Sequence, residues 1–412
     1  MRSPFEVKKI FRGWYVVGAA FVVTFIGFGI AYTFSAFIAP LEAEFGASRG
    51  SVSLVFSLAG FLYFALGALS GPLADRWGAC PLAAVGMLFI GAGLLLASQA
   101  RTLTEVYWAY ALGVGLGVGC AYVPALGAVQ RWFERRRATA SGLAVMGVGV
   151  GTLVMPALAV SLIAASGWRE AYIWIGGIAL VVGLPATLLL ENDPRRRGLL
   201  PDGVLGQLDV SPRASAGSSV REATHSRAFW ILYASTLLCS FGAFVPFVHL
   251  VPYATQQGIA APSAALLVGT LGVGSTVGRF LLGSLADRMG HTRALAMMLA
   301  GMGGSLILWS VGTDFWVLVL FALLYGAFSG GWVAVMPSVV MNQFGGRNVG
   351  AIIGLLYTSV AFGTLAGPSA AGWAFDMSGT YTLPIVGAIG ADFVGALLVW
   401  VAFASRRIPT EG

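Results

Sequence analysis

The sequence predicts an all-α membrane protein whose twelve transmembrane helices form two pseudo-symmetric six-helix bundles. Three observations predict it: a composition too apolar for water, twelve separate apolar runs, and an internal repeat. Of the 412 residues, 58% are hydrophobic and 10% charged, and the mean hydropathy is +0.84. A soluble globular domain carries about 25% charged residues, so a water-soluble enzyme is excluded. The 57 glycines and 17 prolines suit membrane helices, where glycine lets backbones approach closely. Cys80, Cys120 and Cys239 sit in or beside apolar runs. They make no disulfide framework, no CxxC or Cys/His cluster suggests a metal, and no cofactor is expected.

A hydrocarbon core about 30 Å thick takes about 20 apolar residues per helix. Such runs occupy residues 13–40, 51–69, 82–98, 104–129, 138–164, 171–190, 228–254, 263–285, 294–312, 315–341, 349–373 and 383–404. The first is too long for a signal-peptide core and has no small-residue cleavage site, so it counts as a helix. Arginine and lysine set the orientation. With both termini inside, only Arg49, Arg101 and Arg169 fall in outer segments, and Arg279 falls within a span. All other members of the 24 Lys+Arg lie in inner segments. The net charge of +7 is thus a topology signal, and no aromatic interleaving suggests a nucleic-acid site.

The stretch 191–227, rich in Pro, Ser, Gly and Arg, reads as a cytoplasmic linker between an N-terminal bundle (1–190) and a C-terminal bundle (228–412). The two bundles repeat each other. Gly71-Pro-Leu-Ala-Asp-Arg-Trp-Gly78 recurs as Gly283-Ser-Leu-Ala-Asp-Arg-Met-Gly290, an offset of 212 residues. Gly151-Thr-Leu-Val-Met-Pro156 recurs as Gly363-Thr-Leu-Ala-Gly-Pro368 at the same offset, and Gly142 as Gly354. Such a repeat is the architecture of a transporter that rocks two bundles around a site between them.

The paired G-x-L-A-D-R-x-G loops resemble the signature of the major facilitator superfamily, across essentially the whole chain. A finer likeness lies at helices four and five. There Trp132-Phe-Glu-Arg-Arg-Arg-Ala-Thr-Ala-Ser-Gly142, continuing to Gly151, looks like the aromatic-F-x-K-R-R-x-L-A-x-G-x-A-x-A-G pattern of the monocarboxylate porters. Arg12-Gly-Trp-Tyr15 matches that family's helix-one signature in part, with Arg12 where an acidic residue is expected.

Asp75 and Arg76, like Asp287 and Arg288, follow inward-running helices. They read as a conformational latch, with Arg136 and its neighbours Arg135 and Arg137 as partners in one state. The alternative is a solvated topology signal. Gly147, Gly149, Gly151 with Pro156, and Gly363, Gly367 with Pro368, read as close-packing surfaces that slide or stay static.

Within the spans, Asp392 is the one acidic residue and Arg279 the one basic residue. A charge at a helix centre costs about 2.5–3.5 kcal/mol on insertion scales, so neither is expected to face lipid. Arg279, with Ser275 one turn away, suits a small anion, because a guanidinium stays charged and holds a carboxylate with two parallel bonds. The competing reading is an ion pair with Asp392. The resemblance implies the anchoring role, since the family places an arginine in helix eight. It also places an acidic residue one turn before that arginine and, in animal members, a lysine in helix one, where this chain has Ser275 and Ala36. Candidate proton carriers are His249, with the right intrinsic pKa, and Asp392, for which packing or pairing is the favoured role. Co-entry of proton and carboxylate is a third route. By depth, and by the helices that line the cavity in this superfamily, Phe28, Tyr32, Tyr122, Phe244, Trp332, Tyr357 and Phe362 complete the expected site.

The resemblance implies alternating-access symport of a proton and a small monocarboxylate such as lactate or pyruvate, in the plasma (inner) membrane. Rivals are an organic-anion exchanger, including dicarboxylate exchange, a drug exporter, and a transceptor. A membrane enzyme is disfavoured, because no nucleophile–base pair or metal cluster stands in the spans.

Overall fold

The structure, a computed structural model, describes residues 11–133, 137–192, 194–197, 199, 202, 217–345 and 349–404. The first four spans are α1 (Gly13–Phe45), α2 (Arg49–Trp77), α3 (Ala79–Ser98) and α4 (Leu103–Val129). The apolar stretch Gly142–Thr187 follows as one run of 46 residues. At about 1.5 Å per residue a single helix of that length is more than twice the bilayer thickness. Gly167 breaks it with φ 84° and ψ 167°, a conformation that a Cβ disfavours. The result is α5 (137–166) and α6 (168–187). The remaining spans are α7 (Arg227–Gln256), α8 (Ala261–Met289), α9 (His291–Val311), α10 (Phe315–Phe344), α11 (Val349–Ser378) and α12 (Thr382–Ala404). Among the described residues there are thus twelve spans and no strand, apart from an isolated bridge between Gly217 and Gly345.

An even number of spans leaves both termini at one end, called the inner end below. The repeat is visible in the backbone. Gly78 and Gly290 end α2 and α8 with φ 96° and 91°, and their N–H groups donate to Ala74 and Ala286 at 2.8 and 3.0 Å. The last glycine of each repeated motif is therefore the turn that the loop requires. Two helices break midway, α1 at Thr33 and α7 at Phe244, where Pro246 starts the second segment.

In the first half α1 packs on α5 and α3 on α4; in the second, α7 packs on α11 and α9 on α12. The halves meet along α2–α11 and α5–α8, and at the outer ends of α1 and α7. Gly147 and Gly151 face the α1 carbonyls of Phe21 and Phe25, whereas Gly149 faces Thr276 of α8. Gly363 and Gly367 sit against Ser240 and Phe241 of α7. Large apolar side chains such as Trp77, Leu188, Trp316 and Met377 are exposed, as lipid-facing residues are.

Part of the expected linker is described. Glu191 accepts from Arg12 at 2.7 Å and from Arg197 at 2.6 Å. It is partly desolvated by burial, yet these two arginines hold its carboxyl below the usual range. Residues 193, 198, 200, 201 and 203–216 of the linker lie outside the described residues, as do Arg136 and the side chains of Asp75 and Asp287. Arg76 and Arg288 are exposed in the last turns of α2 and α8.

Candidate functional site

Midway through the bundle, aromatic rings from both halves meet. Phe28 of α1 packs edge-on against Tyr122 of α4 (centroids 4.9 Å apart) and Tyr63 of α2 (5.7 Å), and tilts against Tyr32 (5.9 Å). Across the seam, Tyr32 stacks on Phe247 of α7 at 4.5 Å. Phe64 of α2 contacts Phe244 of α7 at 5.6 Å and Tyr357 of α11 at 6.4 Å.

Arg279 enters this cluster from α8. Its charge acts on the hydroxyls of Tyr32, Tyr122 and Tyr357, one each from α1, α4 and α11. Among the described residues it makes one hydrogen bond, a long one from Nη1 to the Val145 carbonyl of α5 at 3.4 Å, and its buried Nε has no partner. No carboxylate lies within ion-pairing distance of it among the described residues. The pairing with Asp392 weighed as a structural alternative is absent: Asp392 lies beside Cys239 of α7 and Gly303 of α9. Arg279, Tyr122 and Tyr357 are each partly exposed.

The other expected residues divide. Phe28, Tyr32, Tyr122, Phe244 and Tyr357 are together with Arg279. Ser275, one turn outward, turns its backbone onto Gly326 and Gly330 of α10. Trp332 is buried with its indole N–H unpartnered. Phe362 is not brought to the cluster. It stands 50% exposed on the outward stripe of α11 that also holds Leu355 and Trp373, with Phe61 beside it.

His249 belongs to a different structure, the outer seam. Its Nε2 donates to the Pro368 carbonyl at 2.8 Å, and its Nδ1 pairs with the Tyr381 hydroxyl at 3.0 Å. The Tyr381 hydroxyl in turn accepts from Arg49 at 3.2 Å. Both ring nitrogens are therefore engaged in holding the seam. Arg49 grips Glu42 with two bonds of 2.7 and 3.0 Å and lies over the Phe375 ring at 4.5 Å. The Asp376 carboxylate accepts from the backbone N–H groups of Arg49 and Gly50 at 3.1 and 2.9 Å. A side chain of α11 thus caps the first turn of α2, across the seam between halves, where the helix dipole favours an anion. Ser57 and Ser369 bond at 2.9 Å one layer inward. The outer side is closed.

Sequence reading missed Tyr63 and the Asp376–Arg49 closure. Tyr63 is buried with its hydroxyl unpartnered, and its sequence signal is a tyrosine in an otherwise apolar span. A cavity of about 730 Å³ at the inner end, lined by Trp77, Cys80, Leu188, Glu191 and Arg197 among others, lies away from this cluster.

The family model described as Major Facilitator Superfamily matches residues 19–303 and 234–412. Monocarboxylate transporter 12-B of Danio rerio is 31% identical over 395 residues, covering 90% of this chain and 82% of its own. Monocarboxylate transporter 11 of Homo sapiens is 30% identical, covering 90% and 78%. Among solved structures, a peptide transporter bound to sulfate superposes with a TM-score of 0.75 over 95% of this chain and 94% of its own, at 16% identity. A nucleoside transporter variant gives 0.72 over 94% and 100%, also at 16%. At such identity these two structures establish the fold alone.

Proposed function

The chain belongs to the monocarboxylate transporter family of the major facilitator superfamily, as a multi-pass membrane transporter and not an enzyme, and we propose that it moves a small monocarboxylate of the lactate or pyruvate kind together with a proton. One observation carries the proposal: a guanidinium with no carboxylate partner among the described residues, between the two halves, whose charge reaches the hydroxyls of three tyrosines. A half-buried cation held by one long bond has coordination to spare, and a carboxylate completes it with two parallel bonds. Tyr122 and Tyr357 supply further donors, and the Phe28, Tyr32 and Phe244 rings give the remainder of the solute an apolar wall. A sugar would call for more polar side chains than this cluster presents.

Because the outer seam is closed, we place entry of the solute to Arg279 on the inner side. Transport then follows by rocking residues 1–190 against residues 228–412 about the α2–α11 and α5–α8 seams, with 191–227 as the tether. Asp75–Arg76 and Asp287–Arg288 form the inner latch, with Arg136 as partner. The positive-inside bias of the sequence supports cytoplasmic termini, and a plasma-membrane location is part of the same proposal.

Uptake of radiolabelled lactate into proteoliposomes tests this. Accumulation that follows an inward proton gradient is expected. Lactate flux that ignores the gradient and depends on internal anion would make the protein an exchanger instead. The Asp75→Asn variant is expected to slow turnover several-fold with lactate affinity kept; a large loss of affinity contradicts the latch role.

A further inference from the structure

The repeat permits a position-by-position comparison of the two halves. In the first half, Leu180 of α6 fills the space left by Gly91 of α3. One turn on, Gly183 meets Met87. At the 212-residue offset these pairs become Asp392 with Gly303 and Gly395 with Leu299, and both contacts are present. Asp392 Cβ lies 3.2 Å from where a Gly303 side chain would begin. One packing slot thus holds a leucine in one half and an aspartate in the other, so the slot itself does not require a carboxyl group.

Asp392 is fully buried, and the one donor beside its carboxyl oxygens is the weak Cys239 thiol, too far or misaligned to make a regular hydrogen bond. Its titratable neighbours are Cys239 of α7 and Tyr325 of α10. The Tyr325 hydroxyl is turned to the Gly242 carbonyl at 3.3 Å, and the Cys239 thiol contacts Met302 of α9 at 3.8 Å. Neither group brings a positive charge, and among the described residues no titratable group of α9 or α11 interacts with Asp392. The matching positions in the first half are Gly27 for Cys239 and Gly113 for Tyr325. Thr236, one turn before Cys239, is also buried and unpartnered, whereas its counterpart Thr24 donates to Ala144 at 2.7 Å. At these matched positions the second half thus holds polar groups, Asp392 and Thr236 among them without a hydrogen-bond partner, where the first half has apolar or satisfied ones. In such surroundings an unpaired carboxylate is costly and the acid form is favoured.

We propose that the Asp392 carboxyl is the proton-binding group of the transport cycle: it takes up one proton from the side that loads the anion, holds it on a carboxyl oxygen inside the second bundle while Arg279 holds the anion, and returns to the carboxylate by releasing that proton on the side that receives the anion. The proposal rests on the symport reading above. One proton and one monocarboxylate cross together, so no net charge moves.

The test compares the full-length wild type, Asp392→Asn and Asp392→Leu in liposomes by three readouts. These are lactate counterflow, lactate accumulation under a proton gradient, and the infrared carbonyl band of a protonated carboxylic acid. Leu180 already occupies the matching slot, so both variants are expected to fold and to keep counterflow within about twofold. Gradient-driven accumulation is expected to fall to an inside-to-outside ratio of one, and the acid band of the wild type to disappear. Gradient-driven accumulation in Asp392→Leu, or an acid band unchanged in both variants, overturns the proposal while leaving symport intact. Loss of counterflow in both variants makes Asp392 a scaffold residue and overturns it as well. A wild type that exchanges lactate but ignores the gradient overturns the symport reading, and the proposal with it.

Discussion

The outer seam and the central cluster both bring polar groups into an apolar protein, and they treat them in opposite ways. At the seam, the Asp376 carboxylate has two backbone donors, Arg49 has Glu42, Tyr381 and a ring face, and both nitrogens of His249 are occupied. In the centre, Arg279 has one long bond and an idle Nε, and the Tyr63 hydroxyl and Trp332 indole N–H have nothing. Leaving a buried donor unsatisfied costs about 1–3 kcal/mol, more when it is charged. A fold that satisfies one region in full can satisfy another. The difference therefore separates a region built to hold the closed state from one built to be completed by a solute.

The comparison breaks first at Arg279. Arg279→Ala is expected to lower lactate uptake by about 100-fold or more, in line with the ~2–5 kcal/mol lost when one member of a buried charge pair is removed. Arg279→Lys is expected to restore little, because the planar fork is gone. Uptake near wild type in either variant would put Arg279 on the same footing as the seam residues.

A smaller effect is expected at Gly50, where a side chain would run into the Trp373 indole of α11. Gly50→Leu should hold the outer ends of α2 and α11 apart at a cost of about 1–3 kcal/mol to the closed state. Distances between spin labels on those two ends read this directly, and an unchanged distribution would show that the seam does not control closure. Asp376→Asn keeps the shape of the cap but loses its charge. It is expected to shift the same equilibrium only a few-fold, since an anion at a helix N-terminus contributes about 0.3–1 kcal/mol.

The smallest effect belongs to Glu191, whose arginine partners lower its carboxyl pKa. A group with a depressed folded pKa contributes stability that is present above its unfolded value, about 4.3, and lost as pH falls through the folded one. Hydrogen exchange at residues 191–199 should therefore quicken only in acid, while Glu191→Gln leaves neutral-pH transport unchanged, as a largely solvated pair contributes below about 1 kcal/mol.

Much of this was legible in the sequence, for physical reasons. Membrane spans announce themselves because lipid tolerates no unpaired backbone and few charges, so twelve apolar runs map onto twelve helices. The break between α5 and α6 was also visible, as a polar interruption around Gly167 and Arg169. Arg279 stood out because a cation inside a span is expensive. The outer seam did not stand out, because the bonds that close it join residues more than 100 positions apart, such as His249 and Pro368 or Arg49 and Asp376. Phe362 was misleading for a related reason: depth in the membrane is readable from position along a helix, but the face is not when every face is apolar. His249 looked available by its intrinsic pKa, and only its two partners assign it to the seam.

The most direct test of the central reading is a structure determined with lactate bound. The predicted result has both carboxylate oxygens about 2.7–2.9 Å from the Arg279 guanidinium, with the contact to the Val145 carbonyl released. A lactate lodged elsewhere in the bundle, with Arg279 still resting on Val145, would contradict it.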